Sequence, residues 1–231
     1  MRYLTRNKIY KKEEPSKDAK KIYIFCEGAR REVDYFKYFQ GFSSTLDIMP
    51  IPSDKGKSDP IKLKESAEKI FGEELTLSHE LKDEVWFVID TDRWNEGDKI
   101  NSLKTFVEEK NKFYNGWFVA QSNPSFEIWL YCHIYSEKPL NDEVHKFGSF
   151  KEFVTTKIKG GFDNRRMPIK IQCAALHAET NFESGNDGQP ALYSTEVFRL
   201  AKKIIELIKP QLDKRLLITK ETNPSGHSGA A

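Results

Sequence analysis

Cysteine is scarce in this sequence, and its three cysteines lie far apart. Cys26, Cys132 and Cys173 form no C-x-x-C pair and no Cys/His spacing typical of zinc ligands. An odd number of separated thiols argues against a disulfide framework. No apolar run reaches the roughly 18 residues of a membrane-spanning helix. The sequence therefore predicts neither a disulfide-stabilised secreted domain nor a zinc-binding or membrane-embedded protein.

The signature motifs of several enzyme classes are also missing. There is no G-x-x-x-x-G-K-[ST] phosphate loop, no Rossmann glycine triplet and no G-x-S-x-G nucleophile elbow. The basic leader, residues 1–20, lacks the apolar core and the small-residue cleavage site of a secretory signal. The cytoplasm is therefore the compartment that we expect for this protein, without a membrane association.

The formal net charge is only +2, but it is unevenly distributed. Residues 1–21 carry eight Lys and Arg against three acids, and residues 201–220 carry six against two. The intervening part of the chain must therefore carry an excess of acids. A broad basic face for nucleic acid is not predicted, although the basic ends of the chain could still neutralise phosphates.

Strand-like and helix-like patterns alternate over the first half of the chain. Apolar runs rich in β-forming residues occupy 22–26, 46–51, 85–89 and 117–120. Amphipathic helical patterns follow them, starting near Ala29, at Asp59-Pro60, near Ile100 and at Ser122-Asn123-Pro124. This order predicts an α/β fold with a mainly parallel, four-stranded sheet and helices on both faces.

The second half of the chain has a looser, mostly helical pattern. We expect an α/β domain over residues 21–136 and a C-terminal helical appendage over residues 137–215 packed on it. Its last helix is predicted from Ser194 to Ile208, where Pro210 would stop it. The polar residues 216–231 are expected to form a disordered tail.

Acidic residues follow three of the predicted strands. Glu27 follows the first strand, Asp90 and Asp92 follow the third, and Glu127 lies shortly after the fourth. Ligands of parallel α/β sheets bind outside the carboxyl ends of the strands, and an extended chain points Asp90 and Asp92 to the same side. Each acid alone could belong to a turn or a helix cap. Together they favour a site for a hard divalent cation, Mg²⁺ or alternatively Mn²⁺.

Other polar residues lie near the same strand ends. Arg30 and Arg31 come at the start of the first helix, where a substrate phosphate would be favoured. Asn123 is predicted to cap the fourth helix. Glu127 lies beside the apolar stripe of that helix, where it needs a partner or a metal ion. His133 lies on the same helix, and a lone helical histidine is more typical of packing than of ligation.

Three motifs in this order closely resemble the RloB family. They are Cys-Glu-Gly at 26–28 with Glu32 and Tyr35-Phe36, Val-Ile-Asp-Thr-Asp at 88–92, and Ser-Asn-Pro-Ser-Phe-Glu-Ile-Trp-Leu at 122–130 with His133. The resemblance covers most of residues 20–205. It implies a variant of the Toprim fold, in which a Glu after the first strand and a D-x-D after the third bind magnesium for phosphodiester chemistry.

The resemblance also implies roles for individual residues. Glu27 would be a metal ligand or a general base, and Asp90 and Asp92 would be magnesium ligands. Many relatives have Thr where this chain has Cys26 and Arg31, and Glu32 is accordingly given less weight. Further residues match family-specific site positions: Ser122, Asn123, Glu127 and His133.

The function that these residues and the resemblance imply is a Mg²⁺-dependent nuclease, acting on RNA, tRNA in particular, or on DNA. RloB-like proteins are similar to abortive-infection components of phage defence and are often encoded beside an AAA-type ATPase. We therefore expect a nucleic acid as substrate, such an ATPase as partner, and a homodimer as the candidate assembly. The alternative is a non-catalytic sensor that binds a metal or nucleotide, or a docking subunit of the ATPase.

Overall fold

A central β-sheet organises the chain. The computed structural model describes residues 12–53, 59–74, 76–91, 98–185 and 188–222. The five strands stand in the order β2-β1-β3-β4-β5. The strands are β1 (Lys20–Cys26), β2 (Leu46–Pro52), β3 (Glu84–Asp90), β4 (Trp117–Asn123) and β5 (Ser194–Thr195). The first four strands are parallel to one another, whereas β5 is antiparallel to β4.

The α/β class and the mainly parallel sheet are confirmed, but the predicted number of strands is wrong. The fifth strand, β5, pairs its two residues with Ser122 and Asn123. Two polar residues cannot produce a strand pattern, and the sequence assigns Ser194 to the last helix instead. At the opposite edge of the sheet lies β2, which contains Pro50 and Pro52.

The helices connect and follow these strands. They are α1 (Arg31–Lys37), α2 (Pro60–Lys69), α3 (Lys99–Asn111), α4 (Glu127–Tyr131), α5 (Asn141–Val144), α6 (Phe150–Lys157), α7 (Ile171–Thr180) and α8 (Val197–Thr222). A π-helical turn at Ile70–Glu74 continues α2, and a 3₁₀ turn at Met167–Lys170 leads into α7. The predicted start of α2 is confirmed, because the Asp59 carboxylate accepts a hydrogen bond of 2.9 Å from the Lys62 backbone N–H.

Side chains of the buried strands alternate between two apolar layers. Ile22 and Ile24 of β1 pack into the layer that contains α1, α7 and α8. Tyr23 and Phe25 point the other way, into the layer formed with α2 and α3. This alternation covers both faces of the sheet with helices, which accounts for the continuous apolar character of β1 and β3.

The last helix, α8, passes through Pro210 and extends to Thr222, so the predicted stop at Pro210 is wrong. Pro210 is exposed, and the carbonyl that it leaves without an intrahelical donor can be hydrated. Ile208 and Leu212 on either side continue the buried stripe. Of the predicted tail, residues 216–222 are therefore helical and residues 223–231 lie outside the described residues. In the part of the chain that the structure describes, a membrane-spanning helix is absent.

The short helix α4 begins later than the sequence predicts. Asn123 is the last residue of β4, and its side-chain amide donates to the Pro190 carbonyl at 2.9 Å. The Asn123–Pro124 peptide bond is cis, and regular helix starts only at Glu127. The prediction that Asn123 caps this helix and Pro124 begins it is therefore wrong.

Candidate functional site

The strand order places Glu27 and Asp90 side by side. From β1 the chain crosses to β2 on one side and then to β3 on the other, so the switch point of the sheet lies between β1 and β3. Glu27 directly follows β1, and Asp90 is the last residue of β3. The Asp90 backbone N–H donates to Glu27 Oε2 at 2.8 Å. The carboxyl ends of these two strands are therefore linked through a Glu27 side chain that is itself buried.

Asp90 is held in a buried, acidic environment. Its Oδ1 accepts a hydrogen bond of 2.7 Å from the Phe126 backbone N–H, and its Oδ2 lies 3.6 Å from Lys151 Nζ. Burial, and after it the negative charges of Glu27 and Glu32, raises the pKa of Asp90 well above its usual value. The ionised form of Asp90 is therefore disfavoured unless a positive charge lies nearby.

Glu32 is a further acid of this group, although the sequence favours it less than the other acids as a site residue. It lies in the first turn of α1 with only 7% of its surface exposed, and its Oε2 atom is buried without a hydrogen-bond partner among the described residues. Burial raises its pKa, and the charge of Glu127 contributes in the same direction. Glu32 therefore belongs electrostatically to the same carboxylate group as Asp90 and Glu127.

The close approach of Glu32 to the backbone explains the glycine that follows Glu27. A Cβ atom at Gly28 would come within 2.0 Å of Glu32 Oε2 and 2.6 Å of its carboxyl carbon. Only glycine leaves that space to the Glu32 carboxylate. The turn between β1 and α1 thus places the Glu32 carboxylate over Gly28, the residue next to Glu27.

Gly28→Ala is expected to destabilise the protein by about 1 kcal/mol, the low end of the cost of overpacking, because the atoms that a Cβ would meet are the carboxylate end of the flexible Glu32 side chain, which must move aside. Urea denaturation measures this cost. In a Glu32→Ala background the same substitution should cost clearly less, since the group that collides is gone. An equal cost in both backgrounds would show that the Glu32 carboxylate does not occupy this space.

Glu127 has the partners that its position on an apolar stripe requires. The Arg31 guanidinium donates to its Oε1, and the Ser125 hydroxyl donates to its Oε2 at 2.6 Å. Arg31 belongs to α1 and Glu127 to α4, so this partly buried ion pair ties the two helices together. About half of the Arg31 side chain remains exposed. Arg31 can therefore still contact an anion at the rim of the site.

Among the described residues, the carboxylates of this group outnumber the cations that face them. Glu27, Glu32 and Glu127 lie within electrostatic reach of Asp90, and Lys151 is the described cation that lowers the pKa of Asp90. This excess of buried negative charge, and the orphaned oxygen of Glu32, fit a divalent cation that prefers hard oxygen ligands. In the described ranges no three His, Cys, Asp or Glu side chains form a closed ligand group. The predicted ligand Asp92 lies outside the described residues.

A cavity of about 190 Å³ opens beside the ion pair of Arg31 and Glu127. Its walls include the apolar side chains of Leu130 and Phe162 together with the polar Asn164. Arg30 lies exposed at the start of α1. The site therefore combines buried carboxylates with cationic side chains and an adjoining cavity of the size of a small ring system.

Two of the predicted family-specific residues make hydrogen bonds that hold β4 in place. The Ser122 hydroxyl is fully buried and lies 2.8 Å from the Thr195 hydroxyl of β5. The side chain of Asn123 bonds the Pro190 carbonyl, as described above. The structure thus places both side chains at the junction with β5, with partners of their own, and not among the carboxylates.

His133 lies in a cluster of rings inside the protein. Its Nε2 is 3.1 Å from the Tyr35 hydroxyl, and its Nδ1 is 3.0 Å from the Trp129 carbonyl. Only 2% of the residue is exposed, and burial lowers its pKa to about 3. A neutral ring that donates from Nδ1 and accepts at Nε2 satisfies both contacts. The structure therefore gives His133 a packing environment.

The comparison with protein families places these features in one known group. A family model described as RloB-like protein matches residues 22–204, which include all the carboxylates and cations described above. Comparison with curated proteins and with solved structures returns no match. The match covers most of the chain, from β1 into α8.

Proposed function

This chain belongs to the RloB-like protein family, and on that premise we propose that it is a Mg²⁺-dependent nuclease that hydrolyses phosphodiester bonds of a nucleic acid. We include tRNA among the candidate substrates. The proposed setting is bacterial defence against phage, with an AAA-type ATPase as partner and a Toprim-like arrangement of the site.

The observation that supports this proposal most is the placement of Glu27 and Asp90 at the switch point of the sheet. Ligands of open α/β sheets bind there, outside the carboxyl ends of the strands. Both side chains are buried, and Asp90 is surrounded by further acids that raise its pKa. Buried acids that repel one another favour a cation as ligand over an apolar or anionic molecule.

In this mechanism the side chains of the site have distinct roles. A bound Mg²⁺ would supply Lewis-acid activation of the phosphate and of an attacking water. Asp90 would hold it, together with Asp92 as the resemblance implies, and Glu27 would either complete this ligand set or act as the general base. Arg31 and Lys151, both about half exposed, are placed to bind phosphate oxygens. The cavity beside Arg31 offers room for part of a nucleotide next to the reacting phosphate.

The second candidate is a non-catalytic sensor or docking subunit of an ATPase. Such a protein would bind a metal or a nucleotide at the same carboxylates without cleaving a bond. Activity and binding measurements separate the two functions.

Metal removal tests the catalytic proposal. The wild-type chain is produced with and without the ATPase encoded beside it and is incubated with total RNA, purified tRNA and DNA. We expect cleavage of one of these classes in Mg²⁺ or Mn²⁺, loss of cleavage to background in EDTA, and recovery when Mg²⁺ is restored. Cleavage that persists in EDTA would contradict the metal mechanism. Intact nucleic acid of every class, with the ATPase present, would favour the sensor.

A further inference from the structure

Positive charge is concentrated in one segment of the C-terminal half. Residues 150–170 comprise α6, the loop that follows it and the 3₁₀ turn, and they hold six Lys and Arg against two acids. We refer to this segment as the basic connector. It carries more net positive charge than the whole chain, whose formal net charge is +2.

Apolar side chains hold the basic connector against the fold and leave its cations at the surface. Phe153 stacks on Tyr131 of α4 within a shared apolar cluster. The sixth cation, Lys157, is half-buried and pairs with Glu143 at 2.7 Å. The other five cations are exposed: Lys151, Lys159, Arg165, Arg166 and Lys170.

The basic connector lies beside the carboxylate site. Near its start, Lys151 Nζ is 3.6 Å from Asp90 Oδ2. Further along, Ile158 and Asn164 line the same cavity as Arg31. The segment therefore runs from the buried acids along the cavity, next to the place where the proposed reaction occurs.

Three of the exposed cations belong to the part of the connector that borders the cavity. Lys159, Arg165 and Arg166 each lie one or two positions after a residue that lines it. Because consecutive Cα atoms are about 3.8 Å apart, the backbone of each cation lies within about 8 Å of the cavity wall. A Cβ atom at Gly160 or Gly161 would meet no described atom within 4 Å, so the space outside this loop is open.

These three cations have few acidic partners in the protein. Among the described residues, Lys159 and Arg165 form no ion pair. Arg166 lies 3.8 Å from the carboxylate of Asp163, and 88% of its side chain stays exposed. The buried acids do not explain them either, since Lys151 is the cation with the largest effect on the pKa of Asp90 and Glu32.

We propose that Lys159, Arg165 and Arg166 bind the phosphate backbone of a nucleic acid at the edge of the cavity. This inference rests on the proposed function and extends it to a binding surface outside the carboxylate site. Cations spread along one exposed segment suit a polymer with a charge on every nucleotide better than a single small anion. Such contacts fix the position of the nucleic acid without reading its sequence. They supply affinity that the buried acids, which repel phosphate, cannot.

The salt dependence of binding tests this inference without reference to catalysis. The basic-connector variant combines Lys159→Gln, Arg165→Gln and Arg166→Gln. Fluorescence anisotropy measures its affinity for labelled single-stranded RNA, tRNA and DNA in EDTA, which prevents cleavage by the proposed mechanism. At about 0.15 M salt we expect binding at least about tenfold weaker than in the wild type. The slope of the logarithm of affinity against the logarithm of salt concentration should fall by about 2, near 0.7 for each lost phosphate contact.

The matched control combines Lys82→Gln, Lys112→Gln and Lys203→Gln. All three lysines are exposed, and two of them line a groove beside Glu84, which begins β3 at the opposite end of the sheet. The control removes the same charge and should keep the wild-type slope. Arg165→Gln alone should lower the slope by about 0.7. Every variant should melt at the wild-type temperature, because the replaced side chains are exposed.

The possible outcomes separate this inference from the proposed function. Equal losses in the basic-connector variant and the control would show an effect of net charge alone and would overturn the inference. A wild-type slope in the basic-connector variant, while the wild type cleaves nucleic acid in Mg²⁺, would overturn the inference and leave the nuclease proposal intact. A wild-type slope with lost association of the ATPase would assign the cations to an acidic protein surface instead. Absence of nucleic-acid binding by the wild type at low salt would overturn both proposals.

Discussion

On the proposed nuclease mechanism, Glu27→Gln protein should cleave its nucleic acid at least about 10³-fold more slowly than the wild type, because the substitution removes either a metal ligand or the general base. Glutamine retains a carbonyl oxygen that can accept the Asp90 N–H, so the link between β1 and β3 is preserved. The loss should therefore appear in the rate of cleavage and not in the melting temperature. Single-turnover cleavage of the substrate identified in Mg²⁺ measures it.

Two comparisons make this result specific. Glu84→Gln removes a buried acid from the other end of β3 and should keep the wild-type rate. Glu27→Ala should be as inactive as Glu27→Gln. Toxicity in cells that also carry the proposed ATPase partner should follow the same order. If Glu27→Gln degraded the same nucleic acid at the wild-type rate, the carboxylate group would not be catalytic, and the docking function would be favoured.

Burial of a neutral His133 is expected to contribute to the acid sensitivity of the fold. Its pKa is lowered to about 3 by burial, from a usual value near 6.5. Between these values the unfolded chain binds a proton that the folded chain does not, so the free energy of unfolding falls as the pH falls. The contribution is present in full above pH 6.5 and is lost by about 1.4 kcal/mol per pH unit down to about pH 3.

Urea denaturation of the wild type and of His133→Gln at pH 7, 6 and 5 measures this contribution. The variant should be less stable at pH 7 by about 1–3 kcal/mol, since the partner of the buried Tyr35 hydroxyl is altered. The difference between the two proteins should shrink on acidification. Asp90 and Glu32 have raised pKa values and act with the opposite sign, but both proteins contain them. A difference independent of pH would mean that His133 is not held neutral.

The main strands and part of the site could be predicted from sequence because the signals are local. Continuous apolar runs mark β1 and β3, and the rule for parallel sheets then places Glu27 and Asp90 at one edge. The pairing of Arg31 with Glu127 could not be predicted in the same way. The two residues lie 96 positions apart in the sequence and come into contact only in the folded protein, where the strand order of the sheet brings α4 next to α1.

The position of Glu32 in the sequence pattern also marks it as a candidate site residue. It lies four residues before Phe36, on the face of α1 that also holds Val33 and Tyr35. An acid on an apolar helix face needs a partner, which is the same reasoning that singled out Glu127. The strand β5 could not be predicted from the sequence, because its two polar residues acquire strand geometry only from their contact with β4.

The proline residues of β2 limit how copies of this protein can associate. The Gln40 side-chain amide donates a hydrogen bond to the outward-facing carbonyl of Ile48. Pro50 and Pro52 lie at the next two outward-facing positions of β2, and neither has a backbone N–H. A second chain that paired with β2 would therefore find no backbone donor at two of its outward-facing positions. Growth of the sheet from molecule to molecule, the route to fibrous aggregates, is accordingly disfavoured at β2, and a homodimer is expected to use other surfaces.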